Sequence, residues 1–195
     1  MKKYLVVLLG LMLCLGFAAQ ASADQEGMAT AHVFVTVAPN ITVGVATPLV
    51  DAGSVQTGPF TATIVFSVDA NEQEVEMWAA VSDLYKGDDP TGEEVTPIPV
   101  NEGAGVLFAP TNANPLNGGS PVASYIGAGD NVLGFPTTQT ESIIFTSSQN
   151  GHFSQQVFVT AGWTQVDPEQ PQGQYSGSVK FYSMLVPDQN GGTNG

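Results

Sequence analysis

The side chains best suited to proton transfer near neutral pH are the two histidines, His32 and His152. His32 lies in an alternating run on the face of Phe34 and Thr36, and His152 follows Asn150-Gly151. Neither stands at a spacing from serine or cysteine that makes a nucleophile–base pair, and their separation fits no metal motif. Both read as surface or half-buried histidines. No Gly-x-Ser-x-Gly elbow occurs. Gly103-Ala104-Gly105 and Gly127-Ala128-Gly129 lack the third glycine and the helix that a phosphate cradle needs, so they read as turns.

Carboxylates remain. Asp83, Asp88, Asp89, Glu93 and Glu94 surround a Gly/Pro loop where hard oxygen ligands can gather Ca²⁺. Their spacing departs from the EF-hand order, so a solvated acidic loop is the simpler reading, with calcium as the alternative and no other cofactor expected. Glu72, Glu74 and Glu76 share one face of an alternating run, the pattern of a solvated sheet face. Paired acids also serve glycoside hydrolysis, but nothing in the sequence fixes their separation. Trp78 and Trp163 fall inside strand patterns and read as core anchors rather than sugar platforms. No enzyme is expected.

The elements that must position these residues are strands. Period-two alternation dominates and no segment holds a helical stripe. Ala31, Val33, Val35 and Val37 share one face of the first run. Ile41 to Ala46 continues extended after Pro39-Asn40. Phe60, Ala62, Ile64, Phe66 and Val68 alternate with Thr61, Thr63 and Ser67. In the run from Gln73 to Ser82, Val75, Met77, Ala79 and Val81 face in. Further strands are expected at 106–109, 122–126, 142–146, 153–163 and 174–186. Clusters of Gly, Pro, Asn and Asp separate them, and Asn150-Gly151 carries the strongest hairpin signal. Pro110 to Pro121 reads as a long surface loop. Many short strands with regular turns predict an antiparallel sandwich or barrel.

Composition narrows the task. Four lysines and no arginine stand against eighteen acidic residues, a formal charge of −14. Such a balance opposes phosphate backbones and anionic lipid, so no nucleic-acid partner is expected. Lys2 and Lys3, the apolar run Tyr4 to Phe17 and Ala21-Ser22-Ala23 form the three parts of a cleaved export signal, residues 1–23. The run is shorter than the roughly 20 residues of a membrane span, so no membrane insertion is expected after cleavage. Cys14 is the single cysteine and leaves with the signal, so no disulfide is expected in the mature fold. Residues 24–187 then form one domain, and the Gly/Asn-rich residues 188–195 a disordered tail.

Two segments carry a resemblance. Met28 to Val43, followed by Ala46 to Val55, resembles the alternating first strand and Thr-Pro-Leu turn of the spore-coat-U-like and archaic chaperone–usher pilin group. Gly173 to Tyr182 is similar to that group's closing strand. The resemblance implies an antiparallel immunoglobulin-like β-sandwich lacking one strand, completed by the alternating N-terminal strand of a neighbour. It implies a non-enzymatic structural subunit of a surface filament, pilus or coat, in the periplasm, at the cell surface or outside the cell. Its partners would be further copies or related subunits and a periplasmic chaperone. Ala31, Val33, Val35 and Val37 would be the inserted face; by periodicity alone they equally suit the first strand of a self-complete sandwich. The alternative function is a monomeric exported binding module for calcium or carbohydrate through the loop from Asp83 to Glu94. In some surface pilins a lysine placed like Lys180 is buried and cross-linked; here an outward or edge-blunting lysine is the simpler reading.

Overall fold

A computed structural model describes Val35, residues 37–92 and residues 94–186. The expected signal segment, Ala31 to Phe34, Thr36, Glu93 and the tail lie outside the described residues. The chain divides into two units, Met1–Val37 and Ala38–Gly195. In the first, Val35 and Val37 have no regular structure and are exposed.

The second unit is built of strands: β1 (Ile41–Val45), β2 (Gly58–Ala70), β3 (Glu74–Ser82), β4 (Tyr85–Lys86), β5 (Val106–Pro110), β6 (Ala113–Pro115), β7 (Val122–Ala123), β8 (Tyr125–Ala128), β9 (Thr137–Thr140), β10 (Ile143–Ser147), β11 (Phe153–Gln165), β12 (Tyr175–Ser176) and β13 (Val179–Leu185). All pairings between these strands are antiparallel. One sheet has the order β1-β2-β11-β5-β7. In the other, β3 is central, with β13 on one side and β9 and β10 end to end on the other; β8 lies beyond β9 and β6 beyond β10.

The first sheet is organised by β2 and β11, paired along their whole length from Gly58↔Gln165 to Ala70↔Phe153. Alternation decides which face each presents. Phe66, Val68, Val157, Val159, Ala161 and Trp163 are buried, while Thr61, Thr63, Asp69, Ser154 and Gln156 are exposed. Val75, Met77, Ala79 and Val81 of β3 are fully buried, as their spacing predicts. The two inner faces meet through aromatic rings: Phe181 of β13 lies 4.9 Å from Phe66 and 6.1 Å from Phe108, centre to centre. The Trp163 indole N–H donates to the Ser82 carbonyl at 2.9 Å, tying β11 to the end of β3. Apolar burial across this interface is the main source of stability.

Four expectations need correction, and the first three fail at points where the chain changes sheets. The Asn150-Gly151 turn is present, with Gly151 at φ 74°, but it joins β10 in one sheet to β11 in the other rather than closing a hairpin. The run 122–126 is two strands: β7 pairs with β5, and after Ser124 the chain enters the other sheet as β8. The run 174–186 is likewise split, β12 pairing with β4 and β13 with β3. Gly177 makes that last change of partner feasible, since a Cβ there would lie 2.5 Å from the Asp83 carbonyl oxygen. The expected loop 110–121 also holds β6, paired with β10, and a short 3₁₀ turn, Leu116–Gly118.

Candidate functional site

The seam between β1 and β13 is where the structure departs from a closed core. β1 is the edge of its sheet, and among the described residues β13 pairs only with β3. The register places Val43 opposite Val68 and Val45 opposite Phe66, so both valines point to the core side. Yet Val43 is 39% exposed and Val45 52%. On β13, Val179 and Leu185, partnered with Val81 and Val75, are half-buried on the same inner side. Ser183, between them on that side, has a buried hydroxyl without a hydrogen-bond partner among the described residues. The chain after β1 is held to β2 by Ala46 N–H, which donates to Val65 O at 2.8 Å, and by Thr47 Oγ1, which accepts from Val65 N–H at 2.9 Å. Beyond it Leu49 is 93% exposed. Of the strand-exchange candidates, Val35 and Val37 are exposed, and Ala31 and Val33 lie outside the described residues.

The acidic loop is held by one turn of its own, at Asp89, and by bonds to Val100 and Ser176 outside it. Asp83 accepts from Val100 N–H at 2.8 Å. Asp88, at φ 60°, accepts from the Ser176 hydroxyl. Asp89 accepts from both the hydroxyl and the N–H of Thr91, which holds its carboxyl below the usual range. Glu94 is exposed. Among the described residues no three His, Cys, Asp or Glu side chains converge to hold a metal ion. His152 is exposed, its Nδ1 3.2 Å from Asn150 O, and His32 lies outside the described residues. Gly103 to Gly105 form a turn, whereas Gly127-Ala128 end β8 at a register shift. Lys180 is exposed on the edge strand β13, with Nζ 4.6 Å from the centre of the Tyr182 ring.

The two tryptophans separate. Trp163 is a core residue, 4% exposed. Trp78 is not: it is half-buried on the outer face of β3, stacked on Tyr182 of β13 with ring centres 5.2 Å apart and planes 2° from parallel. Its neighbours on that face are Glu76, which accepts from the Ser142 hydroxyl, and Glu74, which accepts from Thr146 at 3.3 Å. The sequence did carry a signal for this: Trp78 shares the parity of Glu74 and Glu76, not that of Val75 and Met77. No protein-family model matches the chain, and no curated protein matches it.

Proposed function

We propose that this chain is an exported, non-enzymatic structural subunit of a surface filament, pilus or coat, with an incomplete immunoglobulin-like sandwich that is completed by a strand from a neighbouring copy or related subunit. A periplasmic chaperone is a further partner compatible with this reading. The observation that carries it is the open seam: core-facing Val43 and Val45 stay wet beside an edge of β13 that has no partner strand among the described residues. An extended segment laid along that edge continues the backbone ladder, and its alternate side chains cover the valines. Ala31, Val33, Val35 and Val37 have the period and size for that role. Each valine so buried contributes about 1.5–3 kcal/mol before the cost of ordering the segment. Exposed large apolar side chains support the same reading: Val43, Val45, Leu49, Val50 and Val55 all fall within the edge strand and the stretch that follows it.

Deletion of residues 28–37 tests it. The shortened protein is expected to keep its β-sheet circular dichroism yet remain monomeric, and a peptide of residues 28–40 is expected to bind it and raise its melting temperature. Loss of the fold that added peptide does not restore would contradict the proposal and favour a self-complete sandwich.

A further inference from the structure

We propose that the outer face of the sheet centred on β3 is a binding groove for a neutral oligosaccharide, with Trp78 as its stacking platform. Two concavities of about 240 and 420 Å³ lie side by side on this face, with Glu76 and Ser142 in the walls of both. At one end stand Trp78, Ile126 and Gln139; at the other, Glu141 and the turn that carries Asn117.

The groove exists because β9 and β10 do not form one unbroken strand. Ala80 pairs with Gln139 and Met77 with Ile143, so Trp78 sits opposite the break between them. Thr140 repairs the ladder there: its hydroxyl accepts from Ala79 N–H at 3.1 Å and donates to Glu141 O at 2.9 Å. Tyr182, on β13, stacks on one face of the indole, and Trp78 also lines the smaller concavity together with Ile126, Gln139, Thr140, Ser142 and Met184.

An aromatic ring in the wall of a concavity suits the C–H face of a pyranose ring. Beside it lie carboxylate, amide and hydroxyl groups, the partners that grip adjacent sugar hydroxyls. Their acceptors are oriented before any ligand arrives: Ser142 donates to Glu76, and Ser124 N–H donates to Glu141 at 3.0 Å. Two carboxylates and no lysine line the concavities, in a chain of net charge −14, so phosphorylated or sulfated ligands are repelled. The polar groups are spread along the groove, which fits a chain of sugar rings better than a compact cation.

The test is titration of the full chain with soluble neutral hexaoses of glucose, mannose, galactose and N-acetylglucosamine, and separately with oligolysine, read by tryptophan fluorescence and calorimetry. At least one hexaose is expected to bind in the micromolar to millimolar range. Trp78→Ala should weaken it about tenfold or more, and Trp78→Phe should weaken it less. If Trp78→Ala does not fold, the double variant Gln139→Ala/Glu141→Ala, outside the core, is expected to show the same loss. No hexaose binding at millimolar concentration, binding that these substitutions leave unchanged, or binding of oligolysine alone would overturn the proposal.

Discussion

Ser82 shows how much one small side chain does at the end of β3. It is fully buried, its carbonyl accepts from Trp163, and its hydroxyl accepts from Ser178 N–H at 2.8 Å while donating to Asp83 O at 2.8 Å. It thus joins β3 to β11 and to the start of β13. Ser82→Ala leaves the Ser178 amide buried without a partner, so a loss of about 1–3 kcal/mol is expected, measurable by urea denaturation. Tyr125 is the second telling residue. Burial first, then the carboxylates Glu102 and Asp83, push its phenol well above the ordinary tyrosine value of about 10. Because the folded value is the higher one, its contribution to stability is complete below about pH 10 and is lost as pH rises beyond that, when the unfolded chain ionises first. Phenolate absorbance of the native protein is therefore expected to be unchanged by Tyr125→Phe through about pH 11, the Tyr125 signal appearing only as the chain unfolds at alkaline pH. A native titration from which Tyr125→Phe removes one phenolate near pH 10 would contradict this.

At the scale of elements, the edge strand β1 separates stability from assembly. Val45 faces the core side but is half in water, so Val45→Arg is expected to change monomer stability by no more than about 0.5 kcal/mol while blocking association, since a buried unpaired charge opposes any strand laid over it. Thermal melts and size-exclusion chromatography of the same variant check both halves. The strands themselves were largely legible in the sequence. The spacing of Phe60, Ala62, Ile64, Phe66 and Val68 places β2 on its correct face, and that of Val75, Met77, Ala79 and Val81 does so for β3. What alternation lacks is any mark of which sheet a strand joins. Residues 122–128 keep the same local extended character on both sides of Ser124, although hydrogen bonding passes from β5 to β9 there. The open seam was invisible for the same reason: Val43 and Val45 read as ordinary inward valines, and their exposure depends on where the opposite sheet ends. Short β4, β6 and β12 carry too few residues for a period to show.

For the whole molecule, the proposed assembly sets two physical demands against each other. A net charge of −14 keeps separate copies apart and in solution, whereas an uncovered strip of core draws a complementary strand to it. Both are met if the strip accepts one specific segment and the rest of the surface repels further contact. Cysteine pairing reads that directly, because Cys14 is the chain's single cysteine and falls within the segment expected to be removed. One cysteine placed at residue 33, 35 or 37 and a second at residue 45, in the same exported chain, can close a disulfide either within a molecule or between two. The account predicts that oxidation gives a ladder of covalent oligomers on non-reducing gels, lengthening with protein concentration. A cross-linked monomer alone, at every concentration and for all three positions, would contradict it.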